Sequence, residues 1–156
     1  MNTRKIVVGV LVLFVVASVA WMVYGEMRKG DESPAGGFAT IPDRDGRFVI
    51  AYYFYGDKRC NTCRTIEAYA AEAIATGFAG NIESGEMVWQ AVNVDAPGNE
   101  HFVDDYMLAS KTVVLVEIVD GEETKWEQLN KVWELVDDKD AFVEYVREST
   151  AEFAGI

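Results

Sequence analysis

The stretch Phe48-Val-Ile-Ala-Tyr-Tyr-Phe-Tyr-Gly-Asp-Lys-Arg-Cys60-Asn-Thr-Cys63-Arg-Thr-Ile-Glu67 decides how the chain reads. Its opening run is apolar or aromatic without alternation, the pattern of a strand buried on both faces. A short charged loop follows, and then a Cys-x-x-Cys pair opens a helical segment. These are the only two cysteines in the chain. A dithiol placed where a strand runs into a helix N-terminus is a redox motif with a physical basis. The first helical turn has unpaired N–H groups and the positive end of the macrodipole, and both stabilise a thiolate. Cys60 is therefore expected to carry a lowered pKa, with Lys58, Arg59 and Arg64 acting in the same direction. Cys63 falls one turn further in, within bonding reach and more buried. Cys60 is thus the expected attacking thiol and Cys63 the resolving one. Two other uses of the pair are a structural disulfide and half of a zinc site. Zinc ordinarily takes four ligands, and the chain offers no further cysteine and a single histidine, His101.

Outward from that stretch, 156 residues with 50% hydrophobic content suffice for one domain with appendages. The formal net charge is −12, and residues 1–24 hold two basic and no acidic side chains. Residues 25–156 are therefore more acidic than the whole. Such a surface is a poor match for nucleic acid or anionic lipid, so no nucleic-acid partner is expected.

The N-terminus begins Met-Asn-Thr-Arg4-Lys5 and continues as an unbroken apolar run, Ile6 to Tyr24. At about 1.5 Å per residue such a run crosses a hydrocarbon core of about 30 Å. Trp21 and Tyr24 stand at its far end, where an aromatic belt belongs. The competing reading is a signal peptide cleaved after Ser18-Val19-Ala20, but the apolar run continues past that site. The expectation is a retained anchor in the lipid bilayer over residues 1–24, with Arg4 and Lys5 inside. Arg28 and Lys29 weaken that orientation bias. Residues 25–46 are rich in Gly, Pro and charge and read as a flexible linker. The expected domain covers 47–156, outside the cytoplasm at the inner membrane.

Within that domain the elements alternate. Phe48–Tyr55 reads as a strand, and Cys60 to about Gly77 as a helix with Ile66, Ala70, Ala73 and Gly77 on its small-residue face. Residues 77–85 read as loop. Met87–Val94 is a second strand and Glu100–Leu108 a short helix. Thr112–Val119 is a β-branched strand that turns at Asp120-Gly121 into a strand around Thr124–Gln128. A final helix runs from about Asp138 to Phe153, burying Phe142, Tyr145, Val146 and Phe153. Asp137-Asp-Lys-Asp140 reads as its cap and acidic first turn.

This β-α-β-α-β-β-α order, with Cys-x-x-Cys after the first strand, resembles the thioredoxin fold over 47–153. The expected class is α/β, a central mixed sheet flanked by helices, with one N-terminal transmembrane helix. The chain more closely resembles the exported thioredoxin-like proteins of the nitrophenyl compound nitroreductase subunit ArsF family. The resemblance is carried by Tyr52-Tyr-Phe-Tyr-Gly56, Arg59-Cys-Asn-Thr-Cys-Arg-Thr-Ile-Glu-Ala-Tyr69, Val92-Asn-Val-Asp95 with Asn99, and Tyr106. Val113-Val-Leu-Val116, Trp126, Leu129, Val132-Trp-Glu-Leu135, Phe142 and Tyr145 complete it. It implies an association with nitroreductase or arsenic-resistance gene clusters. It also implies partners among membrane proteins that carry electrons outward to periplasmic thiols.

Two departures from ordinary thioredoxins bear on the site. Where that fold places a cis-proline before the third strand, this chain has Lys111, followed by Thr112. A non-proline cis bond costs about 2.5–4 kcal/mol, so a trans, reshaped loop is expected, with Lys111 and Thr112 near the sulfurs. Thioredoxins also carry a buried acid in the first strand, and the matching region here is Tyr52-Tyr53. Glu67, one turn beyond Cys63, is the candidate proton acceptor, against the alternative of a solvated helix glutamate. His101 reads as a surface or capping residue, and Trp126 and Trp133 as core or groove aromatics.

The function these readings imply is a membrane-anchored, exported thiol–disulfide oxidoreductase. No cofactor beyond the redox-active Cys60–Cys63 disulfide is expected. Its partners would be a protein thiol or disulfide and a membrane electron carrier or transporter. The alternatives are a dithiol module binding a soft metal or arsenical, and a non-catalytic thioredoxin-like adaptor of a membrane complex.

Overall fold

The computed structural model describes residues 45–156. The expected anchor, Ile6–Tyr24, and all but the end of the expected linker lie outside the described residues. Among those described, no helix is long and apolar enough to cross a membrane.

The elements are β1 (Arg47–Tyr55), α1 (Asn61–Gly77), α2 (Ala79–Ser84), β2 (Met87–Asn93), α3 (His101–Asp105), β3 (Thr112–Val119), β4 (Glu122–Gln128), a 3-10 turn (Asn130–Trp133) and α4 (Lys139–Ala154). The strands form one sheet in the order β2-β1-β3-β4. β2 runs parallel to β1, whereas β3 is antiparallel to both β1 and β4. A parallel β1–β2 pair needs a crossover, and α1 with α2 supplies it. The β3–β4 pair needs only a tight turn. Asp120 and Gly121 make it, with φ of 50° and 85°, the left-handed values that such a turn demands at both central positions.

β1 is central, and every residue from Phe48 to Phe54 is buried. Its alternation splits the interior in two. Val49, Ala51 and Tyr53 face a core shared with Ile66, Ala70 and Ala73 of α1 and Phe142, Val146 and Phe153 of α4. Phe48, Ile50, Tyr52 and Phe54 face the other core, with Phe102, Tyr106 and Val114. The small residues of α1 let it lie close to the sheet, and at its end Gly77 leaves room for Arg147. A Cβ on Gly77 would stand 3.1 Å from the Arg147 side chain.

Three boundaries depart from the sequence reading. Residues 79–84 form a short helix rather than loop, and it buries no residue, so no apolar periodicity announced it. α3 stops at Asp105, short of Leu108, and Met107 adopts a left-handed φ of 48°. The 3-10 turn at Asn130–Trp133 was not anticipated. α4 begins as expected, with the Asp138 carboxylate accepting from Ala141 N.

Candidate redox site

The end of β1 and the start of α1 build the site. Cys60 is the N-cap of α1, with extended backbone. Its sulfur accepts the Cys63 N–H at 3.0 Å, where an N-cap oxygen would ordinarily sit. Cys60 and Cys63 are joined as a disulfide, with Cα atoms 5.1 Å apart. Cys60 is exposed, whereas Cys63 is 2% exposed. The first turn carries no carboxylate to oppose a thiolate. On reduction, the Cys60 sulfur therefore keeps an N–H donor and the positive end of α1, a setting that favours the anion.

The floor under the dithiol is Tyr53. Its hydroxyl, fully buried, donates to the Cys63 carbonyl at 2.7 Å. Burial pushes its phenol up to about 12, and the Arg59 charge opposes that shift only in part. Tyr53 is thus a protonated phenol at neutral pH and accepts no proton there. Sequence reasoning located the tyrosine pair but missed this contact. The alternation of β1 was the available signal, since it places Tyr53 on the α1 side with Ala51.

The loop between β1 and α1 is tied down by polar groups at the end of β2. Asp57 N donates to Asp95 Oδ2 at 2.8 Å, and Asn93 Nδ2 donates to Asp57 Oδ1 at 2.8 Å. Asp95 N in turn donates to Asn93 Oδ1 at 3.0 Å. Gly56 has to be small here, because a Cβ would meet Asp95 Oδ2 at 2.5 Å. Val92-Asn-Val-Asp95 thus holds the chain just before the dithiol.

The five residues expected around the thiolate divide. Lys58 and Arg64 are exposed, and among the described residues no ion pair engages either. Arg59 instead pairs with Glu67 and lies over the Tyr55 ring, 4.2 Å from its centroid. Glu67, the candidate proton acceptor, is therefore bound to a cation. The peptide bonds around Lys111 are trans, since no cis bond occurs among the described residues. The Lys111 carbonyl accepts the Trp133 indole N–H at 2.7 Å. Lys111 lines a cleft of about 140 Å³ with Tyr55, Val94, Asp95 and Leu108, and neither cysteine lines it. Thr112 is buried, its hydroxyl 3.5 Å from the Leu129 carbonyl and at the limit of a hydrogen bond.

Elsewhere, His101 is exposed and pairs with Asp105 at 2.6 Å. Trp126 packs edge-on against Tyr106 in the second core. Trp133 is 37% exposed. Among the described residues, no group of three or more His, Cys, Asp or Glu could hold a metal ion.

A mixed sheet of order β2-β1-β3-β4, with Cys-x-x-Cys at the start of the helix after its central strand, is a thioredoxin-like α/β fold. Similar solved structures include Trxlp from Edwardsiella tarda, 13% identical over 64% of this chain and 82% of that one, with a TM-score of 0.40. Thioredoxin from Fasciola hepatica is 24% identical over 65% and 83%, with a TM-score of 0.36. Thioredoxin O2 from Arabidopsis thaliana is 16% identical over 62% and 76%, with a TM-score of 0.37. No family model and no curated protein sequence matches the chain. Likenesses this distant say nothing of activity, and the strand order and the place of the dithiol define the fold.

Proposed function

We propose that the chain is a thiol–disulfide oxidoreductase, held at the outer face of the inner membrane by Ile6–Tyr24 and exchanging electrons with a membrane carrier. One observation carries the reading: an exposed Cys60 at the N-cap of α1, bonded through its sulfur to a buried Cys63. In the reduced form the Cys60 thiolate attacks a partner disulfide, forming one S–S bond as the partner's own breaks and releases a thiolate. Cys63 then gives up its proton to solvent and attacks the Cys60 sulfur of the mixed disulfide. The second partner thiolate leaves, so two electrons pass to the partner and the Cys60–Cys63 bond closes. A membrane electron carrier restores the dithiol. The apolar run and the resemblance to exported ArsF-family proteins support the anchor and that partner.

The test is trapping in cells. A Cys63→Ser chain should accumulate mixed disulfides through Cys60, and Cys60→Ser should accumulate none. Alkylation of the reduced protein should modify Cys60 faster below neutral pH. Equal rates at both cysteines from pH 5 to 9 would point instead to a structural or chelating pair. Recovery of a soluble species beginning at Trp21 would replace the anchor by a cleaved signal peptide.

A further inference from the structure

Arg59 and Glu67 are held to each other by more than their charges. The guanidinium is stacked on Tyr55, its side chain is 28% exposed, and that of Glu67 is 19% exposed. The Arg59 Nε is buried, and no hydrogen-bond partner among the described residues reaches it. Arg59 immediately precedes Cys60, and its charge reaches the Tyr53 phenol that supports the Cys63 carbonyl. An exposed ion pair can part and leave each charge to water. A partly dried pair next to a titrating sulfur acts on it as a unit, and loss of one partner leaves the other uncompensated there. Other charged or titratable groups of the segments meeting at this end of the sheet include Tyr53, Tyr55, Asp57, Lys58, Arg64, Asp95, Lys111, Lys131 and Glu134.

We propose that Arg59 and Glu67 are positioning residues that set the charge felt by the Cys60 thiolate. Glu67 cancels the cation nearest Cys60 in the chain, so the thiolate rests on the N-terminus of α1, Lys58 and Arg64. The couple is consequently more reducing than its surrounding cations imply. This role deepens the redox reading and rests on it. It also differs from a proton-acceptor role for Glu67, which would change the rate of resolution and leave every equilibrium where it was.

The full chain tests this through the pH profile of Cys60 alkylation and the thiol-to-disulfide ratio in glutathione buffers. Glu67→Gln removes one charge at nearly constant shape and frees Arg59. Cys60 should then ionise at lower pH, by about half to one unit. The ratio should move toward the dithiol by roughly three- to tenfold, a tenfold change being about 30 mV for a two-electron couple. Arg59→Gln should shift both readouts the opposite way. Arg59→Lys should stay near the parent protein, and the double variant should return toward it. Shifts of the same sign in both single variants, or no shift in folded Glu67→Gln protein, would overturn the proposal. If the parent protein fails to equilibrate with glutathione, the redox reading falls, and the alkylation profiles still decide the charge effect.

Discussion

The two faces of the sheet are built from different materials. The face under α1 and α4 is mostly aliphatic and small residues, with Ala51, Ala70 and Ala73 allowing close approach and Tyr53, Phe78, Phe142 and Phe153 as its buried aromatics. On the opposite face the helix contributed by the described residues is five-residue α3, and aromatic rings fill the space. Tyr52, Phe54, Phe102 and Tyr106 lie with centroids between 5.2 and 6.5 Å apart. A long helix covers a sheet with many small contacts, whereas a short one needs large side chains to reach the same depth. The dithiol belongs to the first face alone, because its helix packs there. Stability is thus shared between the faces, while redox chemistry should be sensitive to one of them.

That contrast can be broken directly. Phe142→Ala on α4 and Phe102→Ala on α3 should each cost about 3–5 kcal/mol of stability, measured by denaturant unfolding. Phe142 packs edge-on against Tyr69 of α1, so its loss should also disturb the ratio of Cys60 to Cys63 alkylation. Phe102→Ala should leave that ratio unchanged, and an equal disturbance from both would dissolve the distinction.

Alkali probes both faces at once. Burial pushes the phenols of Tyr52 and Tyr53 up to about 12, with the Glu123 charge adding to the first. Tyr106 is raised further, by burial and then by its hydrogen bond to Glu123. The unfolded chain ionises these groups near 10, so it releases protons before the folded one does. Stability should therefore hold below pH 10 and fall as pH rises from 10 through 12. Phenolate absorbance from these three residues should appear only as the fold opens. Early ionisation of any of them would mean a wetter interior than the burial describes.

A smaller effect isolates the floor of the site. Tyr53→Phe deletes the hydroxyl that donates to the Cys63 carbonyl and should cost about 0.5–1.5 kcal/mol. The smallest is expected at the rim of the first face, where Lys139 and Glu72 pair at 2.8 Å with both side chains nearly half exposed. Glu72→Gln should change stability least of these, and the change should become silent at high salt in denaturant unfolding.

Much of the fold is readable from local pattern. β1 announces itself as a two-sided strand because every residue from Phe48 to Phe54 has to be apolar or aromatic there. The Asp120-Gly121 turn needs two left-handed residues in a row, and few pairs allow it. The dithiol at a helix start follows from a spacing of three and from the strand before it. Asp138 is legible as a cap, because capping is chemistry among near neighbours. What the sequence could not convey are partners brought together by the order of the strands. Asp57 meets Asn93 and Asp95 because β2 lies beside β1, and Trp133 reaches the Lys111 carbonyl because β3 and the 3-10 turn share one end of the sheet. Period and propensity specify which face a residue occupies, whereas a hydrogen bond across the sheet depends on register and on what the neighbouring loop leaves open. The Arg59–Glu67 pair belongs to the same class. Helical spacing put Glu67 on the side of Cys63, but only the folded loop, laid over Tyr55, turned the guanidinium back onto it and made a candidate base into the partner of a cation.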